Sequence, residues 1–298
     1  MQTPRNQQTL RSECEITGVG YWSGRSVRVR LLPGEVSTGI VLVRSDLPGR
    51  PACPAHVDYR DDATLRTNLV NGAARFEMVE HVLAALYAMR IDNCVVEIDG
   101  EEFPGLDGSS RAYSDAIFAA GTTIQSTSRK QLIIQQMITL HDGASWITAS
   151  PMIHRQSHFG YQLAFDHPGV IPNQCFHLVC SPEDFRREVA SARTFVTRTE
   201  AERLQSSGVA THVSYKDLLV FGDTGPIDNR LRFANECARH KALDLIGDLA
   251  LAGVELVGKF VSHRGGHRLN GRMAEALHQL AKSSSVNRRS DVVRQRAA

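Results

Sequence analysis

One order of elements (helix, strand, loop, helix) occurs twice in this chain, the second time about 155 residues after the first. In the first copy Val79, Val82, Leu83, Leu86 and Tyr87 recur at helical spacing, which predicts a helix over residues 77–90. NCVVEID (93–99) reads as a short buried strand, DGEEFPGLDGSS as a polar loop, and 111–120 as a helix stopped by Gly121. In the second copy LRFANECARHKALDLIGDLALAG (231–253) is a long amphipathic helix ending at Gly253. VELVGKFVSH (254–263) follows as a strand and 269–282 as a last helix. Such a repeat predicts two structurally similar α+β halves joined near a polar stretch at 122–130, with a site between them. The boundaries expected are 1–125 and 126–285, with 286–298 a basic tail expected to be disordered.

The rest of the pattern fits sheets. SVRVRLL alternates apolar and charged residues and GIVLVR follows a turn-rich PGEVSTG, which predicts two strands over 26–44. QLIIQQMITL, SWITAS, YQLAFD and CFHLVC are also strand-like, and Ser181-Pro182 opens a further helix.

Composition enters through what it excludes. Lys plus Arg (34) nearly balance Asp plus Glu (32), which argues against a nucleic-acid partner. The last sixteen residues hold four Arg and one Asp, leaving 30 positive against 31 negative side chains in the body. No window approaches ~18 consecutive apolar residues, so no stable membrane insertion is expected. The polar start MQTPRNQQT lacks the apolar segment of a secretory signal. Six Cys at no CxxC spacing read as reduced thiols, and the expected location is the cytoplasm. Twelve His is a high count for 298 residues.

His240 and Asp244 are four apart on the second long helix and share one face, which Asp248 continues. An imidazole and a carboxylate so placed suit a zinc ion if a third ligand comes from elsewhere, although a solvated or salt-bridged helix face has the same spacing. Glu80 and His81 sit near the start of the other helix, about 100° apart, so one can face a metal and the other its water. An exposed Glu beside a partly buried His is the alternative. His267 follows Gly265 and Gly266 at a helix start, either projecting into a cleft or lying on a capping loop. Thr194, beside Phe195 in SARTFVTRTE, offers a hydroxyl to an oxyanion or serves structure alone.

Taken together, TGVG (17–20), VEHVLAAL (79–86), IDNCVVEIDG (91–100), PGLDGSS (104–110), FDHPG (165–169), SARTF (191–195), RHKALDLIGDL (239–249) and GHRLN (266–270) carry a resemblance. Up to about residue 282 the chain resembles the zinc-dependent UDP-3-O-acyl-N-acetylglucosamine deacetylase family of lipid A biosynthesis. The resemblance implies two similar domains, each a β-sheet layered with two main α-helices, with the active site in the cleft between them. It implies one catalytic zinc held by His81, His240 and Asp244, with Glu80 as general base and His267 as general acid. Asp248 would orient and charge His267, Thr194 would help hold the oxyanion, and Thr194, Phe195 and Lys241 would contact substrate. The activity implied is hydrolysis of the N-acetyl group of a UDP-linked acylated amino sugar, by a hydrolase of linear amide C–N bonds acting as a monomer. The chain departs from the family pattern at Trp22, where a His is usual, across 208–221 in place of a glycine-rich run, and at Ser145 in place of a basic residue. These departures keep two other readings open: a zinc amidohydrolase of the same fold acting on a different N-acyl sugar, and a catalytically silent paralogue that binds ligands.

Overall fold

A computed structural model of the chain describes residues 4–166 and 169–296, with side chains in the last helix described as far as Ser284. The strands begin with β1 (Asn6–Leu10), β2 (Cys14–Val19), β3 (Ser26–Pro33), β4 (Ile40–Arg44) and β5 (Ala52–Pro54). Next come β6 (Arg60–Asp61), β7 (Asn68–Asn71), β8 (Ala74–Phe76), helix α1 (Glu80–Ala88), β9 (Cys94–Ile98) and helix α2 (Arg111–Ala120). The chain continues through β10 (Thr122–Ser128), β11 (Gln131–Ile133), β12 (Ile138–Asp142), β13 (Ser145–Ser150), β14 (Ser157–Leu163) and β15 (Gln174–Val179). It ends with α3 (Pro182–Glu188), β16 (Phe195–Thr197), α4 (Arg198–Ser206), β17 (Leu219–Phe221), α5 (Glu236–Ala250), β18 (Glu255–His263) and α6 (His267–Arg296). The fold class is α+β.

Two sheets share one topology. The first has the order β2-β3-β9-β4-β5 and the second β12-β13-β18-β14-β15. The central strands β9 and β18 each run antiparallel to one neighbour, β3 or β13. Each also runs parallel to the other, β4 or β14. Strand β11 adds to the second sheet alone, parallel to the first residues of β18. The alternating pattern of SVRVRLL appears directly in β3, where Val27, Val29 and Leu31 are buried and Arg28 is exposed.

Helices α1 and α5 pack against each other at the centre of the molecule. Both are buried nearly all round: in α1 only Tyr87 is not fully buried, and that phenol accepts the Leu256 N–H of β18 at 3.0 Å. Gly247 lets the two backbones meet, because a Cβ there would lie 2.1 Å from the carbonyl oxygen of Glu80.

Several expectations are corrected in detail. Helix α1 starts at Glu80 rather than 77, since Met78 takes a left-handed φ of 60° and Glu77 bridges to Glu102. Helix α5 starts at Glu236 rather than 231, since the Glu236 carboxylate accepts the Arg232 N–H at 2.6 Å and turns the preceding chain out of the helix. The polar stretch 122–130 is no plain joint, because β10 pairs antiparallel with β1 there. The backbone of α6 continues to Arg296, into the stretch expected to be disordered; no Gly or Pro follows Gly271 to stop it, and an anchored helix adds one bond per residue fixed. Among the described residues no helix is long and apolar enough to cross a membrane. All six cysteines are unpaired, and burial pushes the Cys53, Cys94, Cys180 and Cys237 thiols up to about 12.

Candidate active site

The close approach of α1 and α5 brings the start of one helix against one face of the other. His81 from α1 and His240 and Asp244 from α5 are all buried, and their ligand atoms lie within 4.8 Å of one another. The two imidazoles meet edge to face with centroids 5.2 Å apart. Asp244 Oδ1 stands 3.4 Å from His240 Nε2 and 3.8 Å from His81 Nε2, yet it has no hydrogen-bond partner. His240 donates from Nδ1 to the carbonyl of Ala192 at 3.1 Å, which leaves Nε2 with a lone pair. Burial, reinforced by its neighbour His240, pushes His81 down to about 3, and burial lowers His240 too. His240 Nε2 therefore faces the carboxylate oxygen lone pair to lone pair, and His81 Nδ1, buried without a partner, leaves the second imidazole free to present its Nε2 lone pair as well, an arrangement that a cation relieves. Two ligands about 2.1 Å from one tetrahedral ion stand about 3.4 Å apart, close to the separations seen here. The donor set suits zinc among the common divalent ions.

Burial would raise the Asp244 carboxyl, but the charges facing it, the Lys241 ammonium among them, hold it well below the usual range. Its second oxygen accepts from Lys241 Nζ at 2.7 Å, which uses one of the three donors of the ammonium expected to contact substrate.

Around this group lies a second set of partners. Glu80 is buried, and its Oε2 accepts the backbone N–H of Thr67 at 3.0 Å. Burial, with Asp248 and Asp244 adding to it against His267, pushes the Glu80 carboxyl up to about 7. His267 Nδ1 lies 3.0 Å from Asp248 Oδ2, while its Nε2 lies 4.0 Å from Asp244 Oδ2. Burial alone would lower His267, but the charge and hydrogen bond of Asp248 prevail and push it up to about 9. Asp248 is fully satisfied: Oδ2 also accepts from Asn270 Nδ2 at 2.9 Å, and Oδ1 accepts from the Thr67 hydroxyl at 2.5 Å.

Glu80, His81, His240, Asp244, Asp248 and His267 lie together, joined by two residues that the sequence pattern did not single out. Thr67 carries no motif and no chemistry by residue type, so nothing in the pattern marked it. Asn270 lay in GHRLN without a role. The Phe195 and His240 rings lie nearly perpendicular, centroids 6.4 Å apart, and Thr194 is fixed alongside by its backbone N–H, which donates to the Gly108 carbonyl at 2.7 Å. This segment is anchored by Arg193, whose guanidinium makes a buried pair with Glu236 at 2.7 Å and so ties SARTF to the first turn of α5. Ser110 does the same for PGLDGSS, donating to the His81 carbonyl at 2.7 Å.

Of the departures from the family pattern, Trp22 lies under the Arg66 guanidinium, 4.4 Å from the ring centroid. His212, from the divergent 208–221 segment, contacts the Gly20 carbonyl at 2.9 Å in the same loop. Ser145 donates to the Arg264 carbonyl at 3.0 Å. FDHPG includes residues 167 and 168, which lie outside the described residues. A second His/Asp group among the described residues is His56, Asp58 and His278, of which His278 Nε2 is buried without a partner. There the two imidazoles bond to each other at 3.0 Å and the exposed Asp58 stands 3.8 Å from Lys282.

A family model described as UDP-3-O-acyl N-acetylglycosamine deacetylase matches residues 7–279. Among similar proteins are the UDP-3-O-acyl-N-acetylglucosamine deacetylases of Brucella ovis, Brucella melitensis biotype 2 and Brucella abortus strain 2308. Each is 39% identical over 273 residues, covering 91% of this chain and 94% of the relative. The chain therefore belongs to the UDP-3-O-acyl N-acetylglycosamine deacetylase family.

Proposed function

We propose that the protein removes the N-acetyl group of UDP-3-O-acyl-N-acetylglucosamine, releasing acetate and the free amine in lipid A biosynthesis, with one zinc ion held by His81, His240 and Asp244. The observation that carries the reading is the buried, unpaired Asp244 Oδ1 facing two imidazoles, with a raised carboxyl and a raised imidazole beside it. When bound, the ion supplies Lewis-acid polarisation of the amide carbonyl and of the attacking water.

The chain supplies the proton chemistry. Glu80 takes the proton of the attacking water, for which a carboxyl raised toward neutrality is suited. His267 holds its proton on Nε2, because Nδ1 is occupied by Asp248, and delivers it to the departing amine. The Thr194 hydroxyl donates to the developing oxyanion, and Phe195 and Lys241 contact the substrate at the same edge. The two halves correspond to domains 1–125 and 126–285, and the enzyme works as a cytoplasmic monomer, a setting in which its unpaired thiols stay reduced.

Two measurements test this reading. Acetate release from UDP-3-O-(3-hydroxyacyl)-N-acetylglucosamine is expected to disappear on chelation and to return with stoichiometric zinc; a zinc-loaded protein that releases no acetate overturns it. The pH profile of kcat/KM is expected to be a bell, its rising limb set by ionisation of Glu80 from about 7 and its falling limb by loss of the His267 proton from about 9. A bound cation stabilises the Glu80 carboxylate and disfavours the His267 cation, so both limbs move to lower pH in the loaded enzyme. A profile that keeps rising above pH 10 would remove His267 from the role of acid.

A further inference from the structure

We propose that Thr67 is a positioning residue that sets the tautomer of His267 and the orientation of Glu80 together, an inference that rests on the deacetylase reading for its effect on turnover. Thr67 lies just before β7, is 1% exposed, and spends every polar group it has on this site. Its N–H donates to Glu80 Oε2 at 3.0 Å, and its carbonyl accepts the N–H of Val79, the residue before α1, at 3.1 Å. Its hydroxyl lies 2.5 Å from Asp248 Oδ1 and 3.2 Å from His267 Nδ1.

The hydroxyl has one proton, and the geometry decides where it goes. Asp248 is a carboxylate and can only accept, so the Thr67 proton points at Oδ1 and the Thr67 lone pairs face His267. His267 Nδ1 then meets two acceptors, Asp248 Oδ2 at 3.0 Å and Thr67 Oγ1 at 3.2 Å, and must carry its proton there. The exchangeable proton of the imidazole is thereby confined to Nε2, the nitrogen 4.0 Å from Asp244 Oδ2. Without the hydroxyl, Asp248 Oδ1 is a buried acceptor with no donor, and the carboxylate is free to rotate away from the imidazole. Asn270 does not replace it, since its amide reaches the other oxygen, Oδ2, at 2.9 Å. The backbone half of the clamp is independent of residue type, so substitutions isolate the hydroxyl.

Thr67→Val keeps the shape and loses the hydroxyl; Thr67→Ser keeps the hydroxyl. In zinc-loaded full-length protein, the valine variant is expected to lose about 10- to 100-fold in kcat, the size of effect of other outer-shell partners, with KM and zinc content unchanged. The serine variant is expected to stay within about three-fold of wild type. If valine prevents folding, Thr67→Ala, which only removes atoms, makes the same comparison. A second readout needs no substrate: at a pH high enough for the His267 ring to be neutral, its long-range nitrogen–proton NMR correlations are expected to show the proton on Nδ1 in wild type and Thr67→Ser, and a mixture of tautomers in Thr67→Val. Wild-type kcat in the valine variant, equal losses in valine and serine, or one unchanged tautomer throughout would overturn the proposal. A wild-type protein that releases no acetate overturns the deacetylase reading instead, and leaves the tautomer comparison to decide the role of Thr67.

Discussion

Replacing Glu80 with Gln is expected to lower kcat by about two to four orders of magnitude while the protein keeps its fold and its metal. The substitution is close to isosteric, and the amide oxygen of Gln can still accept the Thr67 N–H that Glu80 Oε2 now accepts at 3.0 Å. None of His81, His240 and Asp244 is altered, so the ligand set is intact. The one property removed is the ability to take a proton. That property is valuable here because burial pushes the Glu80 carboxyl up to about 7, whereas the Asp248 charge and hydrogen bond overcome burial to hold His267 near 9. Between these values one group is ionised and the other protonated, so base and acid are both ready in the same molecule, each set by its environment rather than by its residue type. Metal content and kcat measured on the same preparation check this; a Gln variant that keeps its zinc and turns over at the wild-type rate would remove Glu80 from the role of base.

The grouping of the candidate metal ligands was legible in the sequence because helical spacing is a hard constraint: His240 and Asp244 four apart share a face, and Glu80 and His81 cannot. Helix ends were less legible because tertiary partners decide them. The apolar period runs back through Val79, but Met78 turns left-handed, so α1 begins with the two functional residues as its first turn. The apolar residues of LRFAN extend the α5 pattern, yet Arg193 and Arg232 converge on Glu236 and start the helix there. Strand β10 was illegible for a different reason: TTIQSTS is largely exposed, so no alternation of apolar residues marks it, and its pairing is set by the backbone of β1. Thr67 was illegible because its contribution is half backbone amide and half hydroxyl, neither of which leaves a spacing in the chain. The high count of histidines pointed nowhere by itself, since His56 and His278 pair with each other away from the site that His81, His240 and His267 build.

Gly247→Ala is expected to destabilise the protein at or above the upper end of the about 1–3 kcal/mol typical of overpacking, and to cost the site its geometry. Helix propensity argues for the opposite outcome, since alanine in a helix interior is favoured over glycine by about 1 kcal/mol. Sterics decide between them. The added methyl would lie 2.1 Å from the Glu80 oxygen, 2.8 Å from its carbonyl carbon and 3.0 Å from its Cα, all backbone atoms that no rotamer change can move. Helices α1 and α5 would have to separate, and Glu80 and His81 belong to α1 while His240, Asp244 and Asp248 belong to α5. A shift of about 1 Å between catalytic groups can cost about 10²-fold in rate, so activity and zinc retention should fall together with stability. The denaturant midpoint, with an unchanged m value, and the zinc content after dialysis measure the two effects separately. An alanine variant with a raised midpoint and full zinc would mean that the two helices do not need to touch, and that the ligand set is held together by the surrounding sheets instead.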